Sequence, residues 1–113
     1  MLIAITHNSA VAQDEGVSIS NGFVNGTVFL TYTEAQQIIY TMGLVDGALS
    51  SPILYGANSK QERAFKSCVT GMTAGQLKDA LVKHIKDHPL QRQINLSALL
   101  LRAIDAECQV FGG

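Results

Sequence analysis

The chain has no tryptophan, two prolines and two cysteines among its 113 residues, and charged residues make up 15% of it. Each scarcity excludes something. The eight cations, Lys60, Arg63, Lys66, Lys78, Lys83, Lys86, Arg92 and Arg102, are scattered in a chain of formal net charge -1. They form no basic stripe, and the few aromatics form no stacking platform, so nucleic acid is not an expected partner. No apolar run approaches the roughly 20 residues of a spanning helix, so no membrane segment is expected. No Gly-x-Ser-x-Gly, phosphate-binding loop or dinucleotide fingerprint occurs. The expectation is therefore a protein that is not an enzyme and carries no cofactor.

What is present is apolar and periodic. An apolar fraction of 47% argues against disorder, and the length fits one small domain with a thin core. In such a domain a cross-link is useful. Cys68 and Cys108 bracket the C-terminal half, outside any Cys-x-x-Cys pattern or nucleophile signature, and read as a single disulfide staple in an oxidising compartment. The competing reading is a reactive thiol with a distant partner. At the other end, Ala10-Val11-Ala12 before Gln13 has the small-x-small form of an export cleavage site. Residues 1–12 read either as the remnant of an export signal or as a frayed arm, with 13–113 as a single helical domain.

Residues 13–31 are polar and turn-rich, with Asn21-Gly22 and Asn25-Gly26 as punctuation. Phe23, Val28, Phe29 and Leu30 can pack this segment on the core; Gly26 to Leu30 reads as a helical turn, with an extended piece as the competing reading. Thr33 and Gln36 have capping-box spacing and open the first long helix. Its expected buried stripe is Ala35, Ile38, Ile39, Met42, Val45 and Leu49, and Ser50-Ser51-Pro52 is expected to end it. Gly43 and Gly47, one turn apart, suggest close packing of another helix, in the monomer or across a dimer. Pro52 to Ser59 reads as a loop. A second helix from Lys60 to Cys68 should turn Ala64, Phe65 and Cys68 inward and stop at Gly71.

The third long helix has the best-written start. Thr73 and Gln76 form a second capping box, with Met72 and Leu77 at staple spacing. Leu77, Ala80, Leu81, His84 and Ile85 supply its buried stripe, and Pro89 ends it. Asn95 can cap the last helix, which buries Leu96, Leu99, Leu100, Ala103 and Ile104 and carries Cys108 near its end. The expected fold is all-α, a small orthogonal bundle of four main helices stapled by one disulfide.

Few residues offer chemistry. His84 and His88 stand at the four-residue spacing of two metal ligands on one helical face, but no third ligand is near and the glutamate of a metalloprotease helix is missing. A structural role is the simpler reading, and no metal is expected. Asp46 is the one acid in an apolar helix, without an obvious second carboxylate or histidine, so a capping or inter-helix hydrogen bond is expected of it. Met42 and Met72 read as core, with an interface as the competing reading. Ile53, Leu54 and Tyr55, between Ser-Ser-Pro and Gly-Ala-Asn-Ser, can serve as a partner-binding anchor or as a lid on the core.

The order of these signals resembles a known family. Tyr40-Thr41-Met42-Gly43-Leu44-Val45-Asp46-Gly47 is similar to its Tyr-x-x-Gly-x-x-Asp-Gly helix. Cys68, Met72-Thr73-Ala74-Gly75-Gln76-Leu77, Val82-Lys83-His84-Ile85, His88-Pro89, Leu99-Leu100-Leu101-Arg102-Ala103-Ile104 and Cys108 follow in order. The family is the Rap/Tai-type immunity proteins, which guard bacteria against peptidoglycan amidases delivered by type VI secretion. The likeness runs over residues 26–108. It implies an all-helical, exported periplasmic protein with Cys68 bonded to Cys108. It also implies a protein partner, a cognate peptidoglycan amidase that it blocks, and a homodimer. Gln91-Arg92-Gln93-Ile94 departs from the family by lacking its aromatic. A periplasmic chaperone or stress protein is the alternative function, and a small metal-dependent enzyme the more remote one.

Overall fold

The computed structural model describes residues 22–55 and 59–110, with the backbone path alone for residues 52–55. Among them are five α-helices: α1 (Gly26–Leu30), α2 (Glu34–Tyr55), α3 (Lys60–Thr70), α4 (Ala74–Asp87) and α5 (Leu96–Cys108). A 3-10 turn, Pro89–Gln91, joins α4 to α5. The fold is all-α, and no strand occurs among the described residues.

The helix starts follow from their caps. Thr33 N–H donates to Gln36 Oε1 (3.0 Å) while Gln36 N–H donates to Thr33 Oγ1 (3.2 Å), closing the first box. Thr73 and Gln76 repeat it at 2.9 and 3.1 Å. Asn25, Ser59 and Asn95 cap α1, α3 and α5 by accepting from the backbone N–H three residues on. Each cap satisfies a donor that the helix itself leaves unpaired.

α4 and α5 form the centre. Leu77, Ala80, Leu81 and Ile85 of α4 are buried with Leu96, Leu99, Leu100, Ala103 and Ile104 of α5, as the periodicity predicts. Phe29 of α1 is fully buried and meets Tyr32 and Tyr40 edge-on, with ring centres 6.1 and 6.4 Å away. Phe65 and Val69 bring in α3, and Cys68 is bonded to Cys108 with Cα atoms 6.1 Å apart. The staple thus joins the ends of α3 and α5.

Three expectations are corrected. First, Ser50-Ser51-Pro52 does not end α2; the helix continues to Tyr55. Proline has no N–H for the carbonyl of Ala48, four residues back. That carbonyl instead accepts the Ser51 hydroxyl at 2.8 Å, and Asp46 O accepts Ser50 Oγ at 2.9 Å. Ile53, Leu54 and Tyr55 are therefore helical in backbone rather than a loop tip; their side chains and residues 56–58 lie outside the described residues. Second, the buried face of α2 is not the expected stripe. Thr41 and Val45 are buried and Tyr40, Leu44 and Ala48 pack beside them, whereas Ile39 is 69% exposed and Met42 49%. Ala35 and Leu49 are exposed as well. α2 is apolar on nearly every side, so periodicity does not choose a face. Third, Phe23 and Val28 point outward, at 62% and 40% exposure, leaving Val24, Phe29 and Leu30 to hold their segment on the core.

Candidate interaction surface

The feature that sequence reasoning missed is the outward side of α2. Ile39, Met42, Gly43, Asp46, Gly47 and Leu49 are all exposed. A Cβ built on Gly43 or Gly47 would meet nothing within 4 Å among the described residues. Close packing at these glycines is therefore absent within the described monomer, where the sequence left a choice between monomer and dimer. The helix offers a strip of apolar side chains with two gaps on a rigid rod about 33 Å long, from 22 residues at 1.5 Å each. Buried Thr41 anchors the opposite side: its hydroxyl donates to Gln37 O at 2.7 Å, and Gln37 Nε2 donates to Phe29 O at 3.1 Å.

α2 is also held by charge. Lys78, buried on α4, donates its ammonium to Glu34 Oε2 at 3.0 Å and to Asp79 Oδ1. These hydrogen bonds raise its pKa above the ordinary lysine value, so the cation persists throughout the neutral range. It ties the start of α2 to α4, and nothing in the local pattern marks this lysine as buried.

The two histidines are stacked, with ring centres 4.1 Å apart and planes at 23°. His84 Nε2 lies 3.0 Å from Gln91 Oε1, and His88 Nδ1 lies 2.8 Å from His84 O. Both oxygens only accept, so each ring donates there. Near-parallel rings do not converge on a common ion. Among the described residues no group of three His, Cys, Asp or Glu side chains stands close enough to hold a metal. Burial lowers the His84 pKa, opposed by the Gln91 hydrogen bond and reinforced by His88 and Arg102. Asp46 makes no side-chain hydrogen bond among the described residues, contrary to the capping or inter-helix bond expected of it; it is exposed on the outer side of α2.

An open groove of about 490 Å³ lies beside the staple, lined in part by Met72, Asp79, Lys83, Glu107 and Cys108. Lys83 is already committed there, donating to Asp87 Oδ2 at 2.8 Å. Met72 packs against the core, as read from its spacing, whereas Met42 does not.

No family model matches the chain. Neither a curated protein nor a solved structure matches it. No helix among the described residues is long and apolar enough to cross a membrane. The disulfide is compatible with an oxidising compartment.

Proposed function

We propose that the chain is a periplasmic partner-binding protein of the amidase-immunity kind, which works by occupying a secreted peptidoglycan amidase. The observation that carries this reading is the outward strip on α2, where Ile39 and Met42 stand 69% and 49% exposed beside Asp46. Contiguous exposed apolar surface is the ordinary mark of a protein interface. The stapled scaffold supports export, and the ordered likeness of Tyr40 to Gly47, Met72 to Leu77 and Cys108 to the Rap/Tai-type pattern supports the target class. Gly43 and Gly47 leave two gaps in this strip, room for side chains of the partner. Ile53, Leu54 and Tyr55 continue the same helix in backbone, which supports counting them with its partner-binding residues.

The test is inhibition. An amidase gene should stand beside the gene of this chain; purified chain is mixed with its product, and cleavage of peptidoglycan is followed. Equimolar chain should abolish turnover, and Met42→Asp should restore it while the chain's melting temperature holds. Undiminished amidase activity in excess chain would remove the reading.

The alternative is an acid-responsive chaperone, favoured by one observation: a partly buried His84 stacked on His88 near Arg102. It requires apolar-dye binding and client protection that appear only on acidification.

A further inference from the structure

Ala35, Ile39, Met42, Asp46 and Leu49 follow one another along α2 at alternating steps of four and three residues. With about 3.6 residues per turn, these five fall within an arc of about 80°, a single line along the helix. All five are exposed, Ile39 at 69%, Met42 at 49% and Leu49 at 38%. Leu44 and Ala48, which pack on the core, lie on the opposite side.

This is the spacing by which one helix packs along another, each projecting side chain entering a gap between residues of its neighbour. Successive members of the line stand about 5 Å apart along the axis, whereas side chains on one face of a strand repeat at about 7 Å. A helix therefore matches the line over its length of about 21 Å, and a strand falls out of step. On one flank, a Cβ at Gly43 would meet nothing within 4 Å among the described residues, so a neighbouring helix can seat its own side chains there.

Asp46 decides what that neighbour must carry. It is the one charge in the line, and its side chain makes no hydrogen bond or ion pair among the described residues. Covering it strips water from a carboxylate, which is costly unless a cation arrives with the partner. α2 has no lysine, arginine or histidine, and its other acid, Glu34, is held by Lys78. A second copy laid on the line would bring another Asp46 and no cation from α2, in either direction. An anionic bilayer would repel the same carboxylate.

We propose that this line docks one amphipathic α-helix of the partner protein, with apolar residues at three- and four-residue steps and a lysine or arginine opposite Asp46. The apolar steps supply affinity, and Asp46 sets the register, as a single polar position does between paired helices. The proposal rests on the reading that the chain binds a protein through α2, but not on that protein being an amidase.

The test places a benzophenone amino acid at Ile39 and, separately, at Leu49 of the full chain, expressed in its host. Light should attach both to one stretch of one protein, at positions about ten residues apart, as two aligned helices require. In the purified pair Asp46→Lys should weaken binding at least about tenfold, with Asp46→Asn between it and the parent. Changing the facing lysine or arginine of the partner to glutamate should restore binding to Asp46→Lys and to no other variant. Asp46 is exposed, so the melting temperature of its variants should hold. Attachment to scattered segments or to a loop, to a second copy of the chain or to lipid, absence of any adduct, or an affinity indifferent to Asp46→Lys would overturn the proposal. An attached helix on a protein that is not an amidase would leave this surface standing and remove the amidase. An amidase that is inhibited but attaches through a loop would remove the helix and leave the function.

Discussion

At the scale of single residues, two glycines make opposite demands on the same substitution. Gly26 is packed so that a Cβ would press on Leu99 Cδ1 at 3.1 Å and on Ile85 Cγ2 at 3.2 Å. Gly26→Ala should therefore destabilise by about 1–3 kcal/mol, through overpacking at the seam. Gly47 faces open space, and Gly47→Ala should stabilise the monomer by up to about 1 kcal/mol through helix propensity. Denaturant midpoints at micromolar concentration check both. A loss at Gly47 that appears only at high protein concentration would place a second helix there. His84 sets a pH dependence. Burial holds its folded pKa below the unfolded value of about 6.5, so the unfolded chain binds the proton more readily. Its contribution is complete above pH about 6.5 and declines as pH falls towards the folded pKa. Replacing His84 with Gln should flatten that part of the stability profile, measured by urea denaturation between pH 5 and 8.

At the scale of elements, the caps and the staple carry separable energies. Thr73→Ala removes the side-chain acceptor for Gln76 N–H and should cost about 1 kcal/mol. The disulfide closes a loop of sequence separation 40, worth roughly 4 kcal/mol in the chain-entropy model. Cys68→Ser with Cys108→Ser should lower the melting temperature by more than about 10 °C, measured calorimetrically with and without reductant in the parent. Reductant should move the parent towards the double variant and leave the variant unmoved. α2 behaves differently from the rest. Its extension past Pro52 depends on Ser51 supplying the donor that proline lacks. Ser51→Ala should therefore fray the last turn of α2 and reduce helical circular dichroism by a few residues, with a small stability loss.

At the scale of the whole molecule, a thin core is assembled from α4, α5 and Phe29, and α2 is left with an apolar outer side. If α2 pairs with a second copy, Ile39→Asp should convert a dimer to a monomer in sedimentation while leaving the monomer folded, since Ile39 is 69% exposed. Much of this architecture was legible beforehand. The boxes at Thr33 and Thr73, the Asn95 cap and the stop at Pro89 are local hydrogen-bonding and steric rules, which need only neighbours in sequence. The stripes of α4 and α5 were legible because polar residues fill their other sides, and the all-α fold and Cys68–Cys108 pairing followed. The buried face of α2 was not legible. With Tyr40, Leu44 and Ala48 on one side of the helix and Ile39, Met42 and Leu49 on the other, local pattern leaves several rotations nearly equal, and the choice falls to Phe29, Tyr32 and Tyr40 packing together. For the same reason the outward strip, the burial of Lys78 against Glu34, and the exposed Leu90 and Phe23 belong to the tertiary structure. Helix ends are decided within a turn of chain by the sequence itself. Which side meets the core depends on segments tens of residues apart competing for the same buried space.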